Sequence, residues 1–223
     1  MTRQAGFSLL EAMLALSLGL LVLLGGNRLF IAASQSWQAQ EAAARMQEDA
    51  RHALQRLAQS IRMAGMFGCL RHDAIVFDAP LAADAFAQPV QITRGADGRL
   101  QRLSLISAEV VPASGRPDWT LVTDCRTQAN VYAGIRAPEA GQFAVLIRRQ
   151  DYRLVASELR LRSGASDGAL VDGVGELQLE LIRGGSSGIS AVQLALTLID
   201  PQQRVRPQTY RTSIALGNPL DGS

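Results

Sequence analysis

The chain has 223 residues, 48% of them hydrophobic, 19% charged and 5% aromatic; this suits one globular domain plus an elongated element and argues against a two-domain enzyme with its own cofactor fold. Twenty-two basic and 20 acidic side chains leave a net charge of +2, too near balance for a chain-wide nucleic-acid or anionic-membrane footprint. Two His and two Cys, with no GxGxxG, Walker A, HExxH or nucleophile-elbow pattern, point to no catalytic, metal or cofactor-binding residues and to no cofactor.

Phe7 to Gly26 reads FSLLEAMLALSLGLLVLLGG, an apolar run with one charge, Glu11. As a helix it covers about 30 Å, the hydrocarbon thickness of a bilayer. A secretory signal peptide would need a small-residue cleavage site just beyond the run, and the nearest Ala-x-Ala, Ala42 to Ala44, is too far downstream. A plain anchor fits the length but leaves Glu11 unexplained, because an acid at membrane depth costs about 2.5 to 3.5 kcal/mol on insertion scales. Arg3 and Arg28 flank opposite ends, so charge counting orients the span only weakly.

The helical period continues through Ala39, Ala43, Met46, Ala50, Leu54, Leu57 and Ile61, one apolar face opposite Glu41, Arg45, Glu48, Asp49 and Arg56. Glu41 with Arg45, and Arg45 with Asp49, are i,i+4 pairs on a solvated face. His52 is expected to face solvent beside Glu48 rather than to act as a ligand or base. Gly65 and Gly68 punctuate the end, giving one helix from Phe7 to Met63. Gly25-Gly26 is either a kink or simply the membrane-exit boundary, and both readings stand.

From residue 69 the pattern alternates. Gln91 to Thr93 and Arg102 to Leu105 flank Asp97-Gly98 as a hairpin, and Ala144 to Ile147 and Tyr152 to Val155 are expected to flank a turn at Gln150-Asp151. Glu176 to Leu181 and Val192 to Leu198 form another pair around the glycine-rich turn 184–188, and a last strand lies around Tyr210 to Leu216. Asp78 to Pro89, Pro112 to Asp118 and Ser163 to Gly168 are expected as surface loops. Arg148, Arg149 and Arg153 on strands are weak evidence for a nucleic-acid surface, since edge charges also deter aggregation, and nucleic acid is disfavoured as a partner. The sheet needs a cover, and the amphipathic helix supplies it, so the fold class is an α+β lollipop: a long N-terminal helix packed on an antiparallel β-sheet domain.

Gly6-Phe7-Ser8-Leu9-Leu10-Glu11, at the junction of a polar leader and an apolar helix, resembles the class III signal of type IV prepilins and type II secretion pseudopilins. The resemblance implies cleavage by prepilin peptidase after Gly6, N-methylation of Phe7, and a register-setting role for Glu11 against the terminal amine of a neighbouring subunit. An α-amine is largely cationic near neutral pH, methylated or not, and a buried amine and a buried carboxylate each lower the other's desolvation cost. The organisation that follows is a leader at 1–6, a transmembrane and filament-core half at 7–26, an amphipathic half at 27–64, and a periplasmic β-rich domain at 65–223.

In a periplasmic domain Cys69 and Cys125 are free to oxidise. A bridge would tie the helix end to the sheet and contribute about 4 kcal/mol in the chain-entropy model. The alternative, zinc at Cys69-x-x-His72, lacks a second ligand pair. Ile61-Arg62-Met63-Ala64-Gly65-Met66-Phe67-Gly68-Cys69, Thr123-Asp124-Cys125 and Leu170 to Leu179 resemble the PilW family of minor pilins, relatives of the pseudopilin GspJ. The family's Tyr-Gly is replaced by Leu181-Ile182. Membership would imply a non-enzymatic inner-membrane subunit, single-pass with a periplasmic C-terminal domain, that later stands at the tip of an extracellular pilus. Its expected partners are prepilin peptidase, other minor pilins, the major pilin, the inner-membrane assembly platform and a tip adhesin. A type II secretion pseudopilin, or more distantly a periplasmic enzyme or binding module on an uncleaved anchor, are the alternatives.

Overall fold

The computed structural model describes residues 8–78, 80–109, 115–183 and 189–220. The chain divides into two compact units, Met1–Arg45 and Met46–Ser223. Helix α1, Leu9–Met63, belongs to both and is continuous through Gly25-Gly26. A Cβ at Gly19, Gly25 or Gly26 would meet nothing within 4 Å, so these glycines answer to no neighbour among the described residues.

In the first unit, Arg45 pairs with Glu41 and not with Asp49. In the second unit, α1 buries Met46, Ala50, Leu54, Leu57 and Ile61 of the expected i, i+3, i+4, i+7 stripe, and Ala53 and Ala58 beside them. His52 is exposed and forms no ion pair with Glu48.

After α1 come a 3-10 turn at His72–Ala74, β1 (Ile75–Phe77), α2 (Pro80–Ala87), β2 (Val90–Arg94), β3 (Leu100–Ala108), β4 (Trp119–Thr123) and β5 (Ala129–Ala133). Then follow β6 (Phe143–Val155), β7 (Glu158–Ser163), β8 (Ser166–Val171), β9 (Val174–Arg183), β10 (Ile189–Leu198) and β11 (Gln208–Leu220). The first sheet runs β1-β5-β4-β6-β3-β2, with β7 and β8 continuing from β6; the second is β11-β10-β9. All pairs are antiparallel except β1 with β5. The architecture is α+β.

One core joins α1 from Met46 onward to Leu103, Leu105, Tyr152 and Leu159 of the first sheet and to Leu177, Leu179, Leu194, Leu196 and Ile214 of the second. Within it the Ser60 and Tyr152 hydroxyls hydrogen-bond at 2.7 Å, which satisfies two buried polar groups. A second core lies on the other face of the first sheet, where Phe67 and Phe86 pack with Ile106, Leu121, Val131 and Ile147. The Phe67 and Phe86 ring centroids are 4.3 Å apart.

Three expectations are corrected. Gln150-Asp151 is no turn: β6 is one strand of 13 residues. Asp151 accepts the Ser104 hydroxyl at 2.5 Å and stands opposite Arg162, so both neighbouring strands hold it extended. The chain reverses at Ala156-Ser157, with Ala156 left-handed at φ 52° and no Gly or Asn to announce it. Ser163 to Gly168 is a hairpin rather than a loop, since β7 and β8 close across Gly164-Ala165. Asp78 to Pro89 contains α2, whose Ala82, Ala85 and Phe86 are buried; a proline with preset φ opens an alanine-rich helix former.

The proposed β9–β10 turn at 184–188 and part of the loop from Pro112 lie outside the described residues. Nor is β6 an edge strand. It pairs with β3 on one side and with β4 and β7 on the other, so its arginines are not edge charges. Arg148 is buried at 2% exposure against Glu109, while Arg149 and Arg153 alternate to the opposite face.

Candidate functional site

The first candidate is the start of α1. Gly6 and Phe7 lie outside the described residues. The Ser8 carbonyl accepts the N–H groups of Glu11, at 3.0 Å, and Ala12, at 3.2 Å, so Glu11 stands in the first helical turn. Unpaired N–H groups and the aligned peptide dipoles favour an anion there by about 0.3 to 1 kcal/mol. Glu11 is exposed and surrounded by apolar side chains.

Leu9, Leu10, Met13, Leu14, Leu16, Leu18, Leu20, Leu21, Val22, Leu23 and Leu24 are all exposed too. Burying each is worth about 1.5 to 3 kcal/mol, on the order of 20 kcal/mol together. A helix carrying this surface needs a lipid or protein surround. It is also long and apolar enough to cross a membrane.

The second candidate is the cysteine pair. Cys69, six residues beyond α1, and Cys125, in the β4–β5 turn, are joined by a disulfide with Cα atoms 5.4 Å apart. Both residues are exposed. The turn is organised by Asp124, whose Oδ1 accepts the backbone N–H of Arg126 (2.9 Å), Thr127 (2.9 Å) and Gln128 (3.0 Å), while Oδ2 accepts the Thr127 hydroxyl at 2.7 Å. The Gln128 N–H, then the Thr127 hydroxyl and the remaining amides, hold the Asp124 carboxyl well below the usual carboxylate range. Thr123 Oγ1 accepts the Cys125 N–H at 3.0 Å and donates to the Gln128 carbonyl at 2.6 Å. Cys125 is thus fixed in a left-handed conformation at φ 56° by side-chain hydrogen bonds that include neither sulfur.

The structure brings Cys69 and Cys125 together. Sequence reasoning named both cysteines but missed the Asp124 turn, whose signal, Asp followed by Thr three residues later, is short and common. It also missed Asp200, which is 3% exposed, accepts both guanidinium arms of Arg204 at 2.9 Å and organises the bend between β10 and β11. The Arg204 contact, then the Gln202 and Arg204 amides, lower the Asp200 carboxyl against the opposing effect of burial. Among the described residues no three His, Cys, Asp or Glu side chains gather as a metal site.

The family model described as the prokaryotic N-terminal methylation motif matches residues 1–26. No curated protein and no solved structure matches the chain. The match covers the leader and the start of α1, and it supports a prepilin-type protein of the type IV pilin or pseudopilin kind. Such a motif implies processing by prepilin peptidase and pilus-type assembly partners in general. With the apolar helix it is consistent with membrane anchoring and indicates a structural protein rather than an enzyme family.

Proposed function

We propose that the chain is a minor pilin of the PilW type: a membrane-inserted subunit, cut between Gly6 and Phe7, methylated at Phe7, and extracted into a type IV pilus whose assembly it helps to prime and whose tip it helps to cap. The observation that carries this reading is the coincidence of the methylation motif at residues 1–26 with an uncovered apolar helix holding a single acid, Glu11, in its first turn.

The mechanism follows from charge and register. In the bilayer the Glu11 carboxylate is costly. Beside a neighbour's Phe7 amine, both groups lose less on leaving water, and the pairing is possible at one axial offset only. Apolar contact supplies attraction between helices, and the ion pair selects the offset. The disulfide and the Asp124 turn hold the segment after α1 to the sheet, so that a pull on the helix is transmitted to the folded domain.

Glu11→Ala tests the assembly step. The variant should be cleaved normally and inserted in the membrane, yet co-purify with sheared filaments at least tenfold less than wild type. Undiminished incorporation would refute the register role.

A further inference from the structure

Opposite the α1-facing core, the first sheet exposes a face rich in arginine. Cross-strand register sets Arg102, Arg153 and Arg160 abreast on β3, β6 and β7, with Ser104, Asp151 and Arg162 in the next row. Like charges directly opposite one another destabilise a sheet, so a row of three needs compensation. Asp167 bonds both Arg153 and Arg160, and Glu158 bonds Arg160. Asp151 is engaged by the Ser104 hydroxyl. Arg149, one row further along β6, lies 5.3 Å over the Trp119 ring.

The compensation is incomplete. Arg102 and Arg162 are exposed and make no ion pair among the described residues. They occupy opposite corners of the two rows, about 12 Å apart by strand spacing and residue rise. Interleaved carboxylates from Asp151, Glu158 and Asp167 leave an excess of only about two positive charges. That is too few phosphate contacts for strong counterion-release binding to nucleic acid, and the acids would repel a continuous polyanion. A mosaic of fixed charges on a sheet face instead suits a folded surface with matching discrete acids, where complementarity gives orientation and rejects wrong partners.

We propose that this face docks another pilin-type subunit through an acidic surface carrying two carboxylates about 12 Å apart, one for Arg102 and one for Arg162. The proposal rests on the minor-pilin reading. Both arginines are exposed and without ion pairs among the described residues, so Arg102→Gln/Arg162→Gln should keep the wild-type melting temperature and N-terminal processing while filament incorporation falls at least tenfold; Arg102→Glu/Arg162→Glu, which sets a carboxylate between Asp151 and Asp167, should lower incorporation as far and melting as well. Benzoylphenylalanine placed at 102 or 162 in the full-length chain should photo-crosslink to a pilin-type subunit next to acidic residues. Reversing those acids to Arg should restore incorporation of the double Glu variant.

Normal incorporation of the double Gln variant overturns the docking site and leaves the minor-pilin reading intact; an uncleaved wild-type chain overturns that reading itself. Binding of a 20-base-pair DNA duplex by the wild-type protein at 0.15 M salt, lost in the double Gln variant, would also overturn the proposal, since it would assign the face to nucleic acid.

Discussion

Glu109→Ala should be among the most destabilising single changes outside the helix core. Arg148 and Glu109 side chains are 2% and 8% exposed and form an ion pair through Arg148 Nε and Glu109 Oε1. Arg148 Nη2 also donates to the Gly115 carbonyl at 3.2 Å, and its Nη1 and the Glu109 Oε2 have no hydrogen-bond partner among the described residues. Removing the carboxylate leaves the buried guanidinium one carbonyl contact among the described residues, and breaking a buried pair in this way costs about 3 to 5 kcal/mol.

For a folded unit of this size that is a drop of roughly 10 °C in melting temperature and a large share of the 5 to 15 kcal/mol typical of a whole domain. Removing both partners avoids the uncompensated charge, so Glu109→Leu/Arg148→Met should recover most of the loss. Thermal unfolding of the full-length, disulfide-intact protein in detergent, followed by near-ultraviolet circular dichroism, measures all the variants. A Glu109→Ala protein within 1 kcal/mol of wild type would refute the reasoning, and so would a double variant less stable than the single one.

Four other outcomes are expected. Gly6→Val should leave uncleaved precursor on immunoblots, because a side chain obstructs close approach of the protease to the backbone. Replacing Cys69 and Cys125 by Ser should cost about 4 kcal/mol for a separation of 56 residues, with thiol titration of the exported wild-type chain finding no free sulfhydryl. Gly173→Ala should destabilise by about 1 to 3 kcal/mol in urea unfolding, since Gly173 has φ 70° and its new Cβ would stand 2.7 Å from the Ile199 carbonyl oxygen. Acid unfolding should track Asp124 and Asp200, whose carboxyls are lowered in the fold. Their contribution is complete above about pH 4, the unfolded value, and is lost as pH falls toward the folded values. Asp124→Asn should therefore flatten the stability-against-pH curve below pH 4.

Helix α1 was legible because its signals repeat: an apolar run of bilayer length, then a stripe from Met46 to Ile61 that tertiary packing confirms residue by residue. The β2–β3 and β9–β10 pairs were legible from strict alternation, with Ile92 opposite Leu103 and Leu194 opposite Leu179. What failed was local. Gln150-Asp151 looked like a turn because two polar residues interrupt an apolar pattern, but β6 is flanked on both sides and its alternate residues meet different surroundings. Gln150 shares a face with Tyr152, while Asp151 lies among arginines.

The Arg148, Arg149 and Arg153 cluster misled for the same reason, since one-residue alternation sends neighbours to opposite faces. Helix α2 was hidden by its brevity, eight residues opened by proline. At the candidate site, the two cysteines were visible as residue types. The Asp124 turn that presents Cys125 depends on backbone amides, which leave little trace in sequence.

The most direct test of the central claim is the mass of the N-terminal peptide from protein recovered in sheared filaments. A chain beginning at Phe7 and heavier by one methyl group is the predicted result. A peptide that still carries Met1 to Gly6 would contradict processing, and with it the freed amine that Glu11 is proposed to meet.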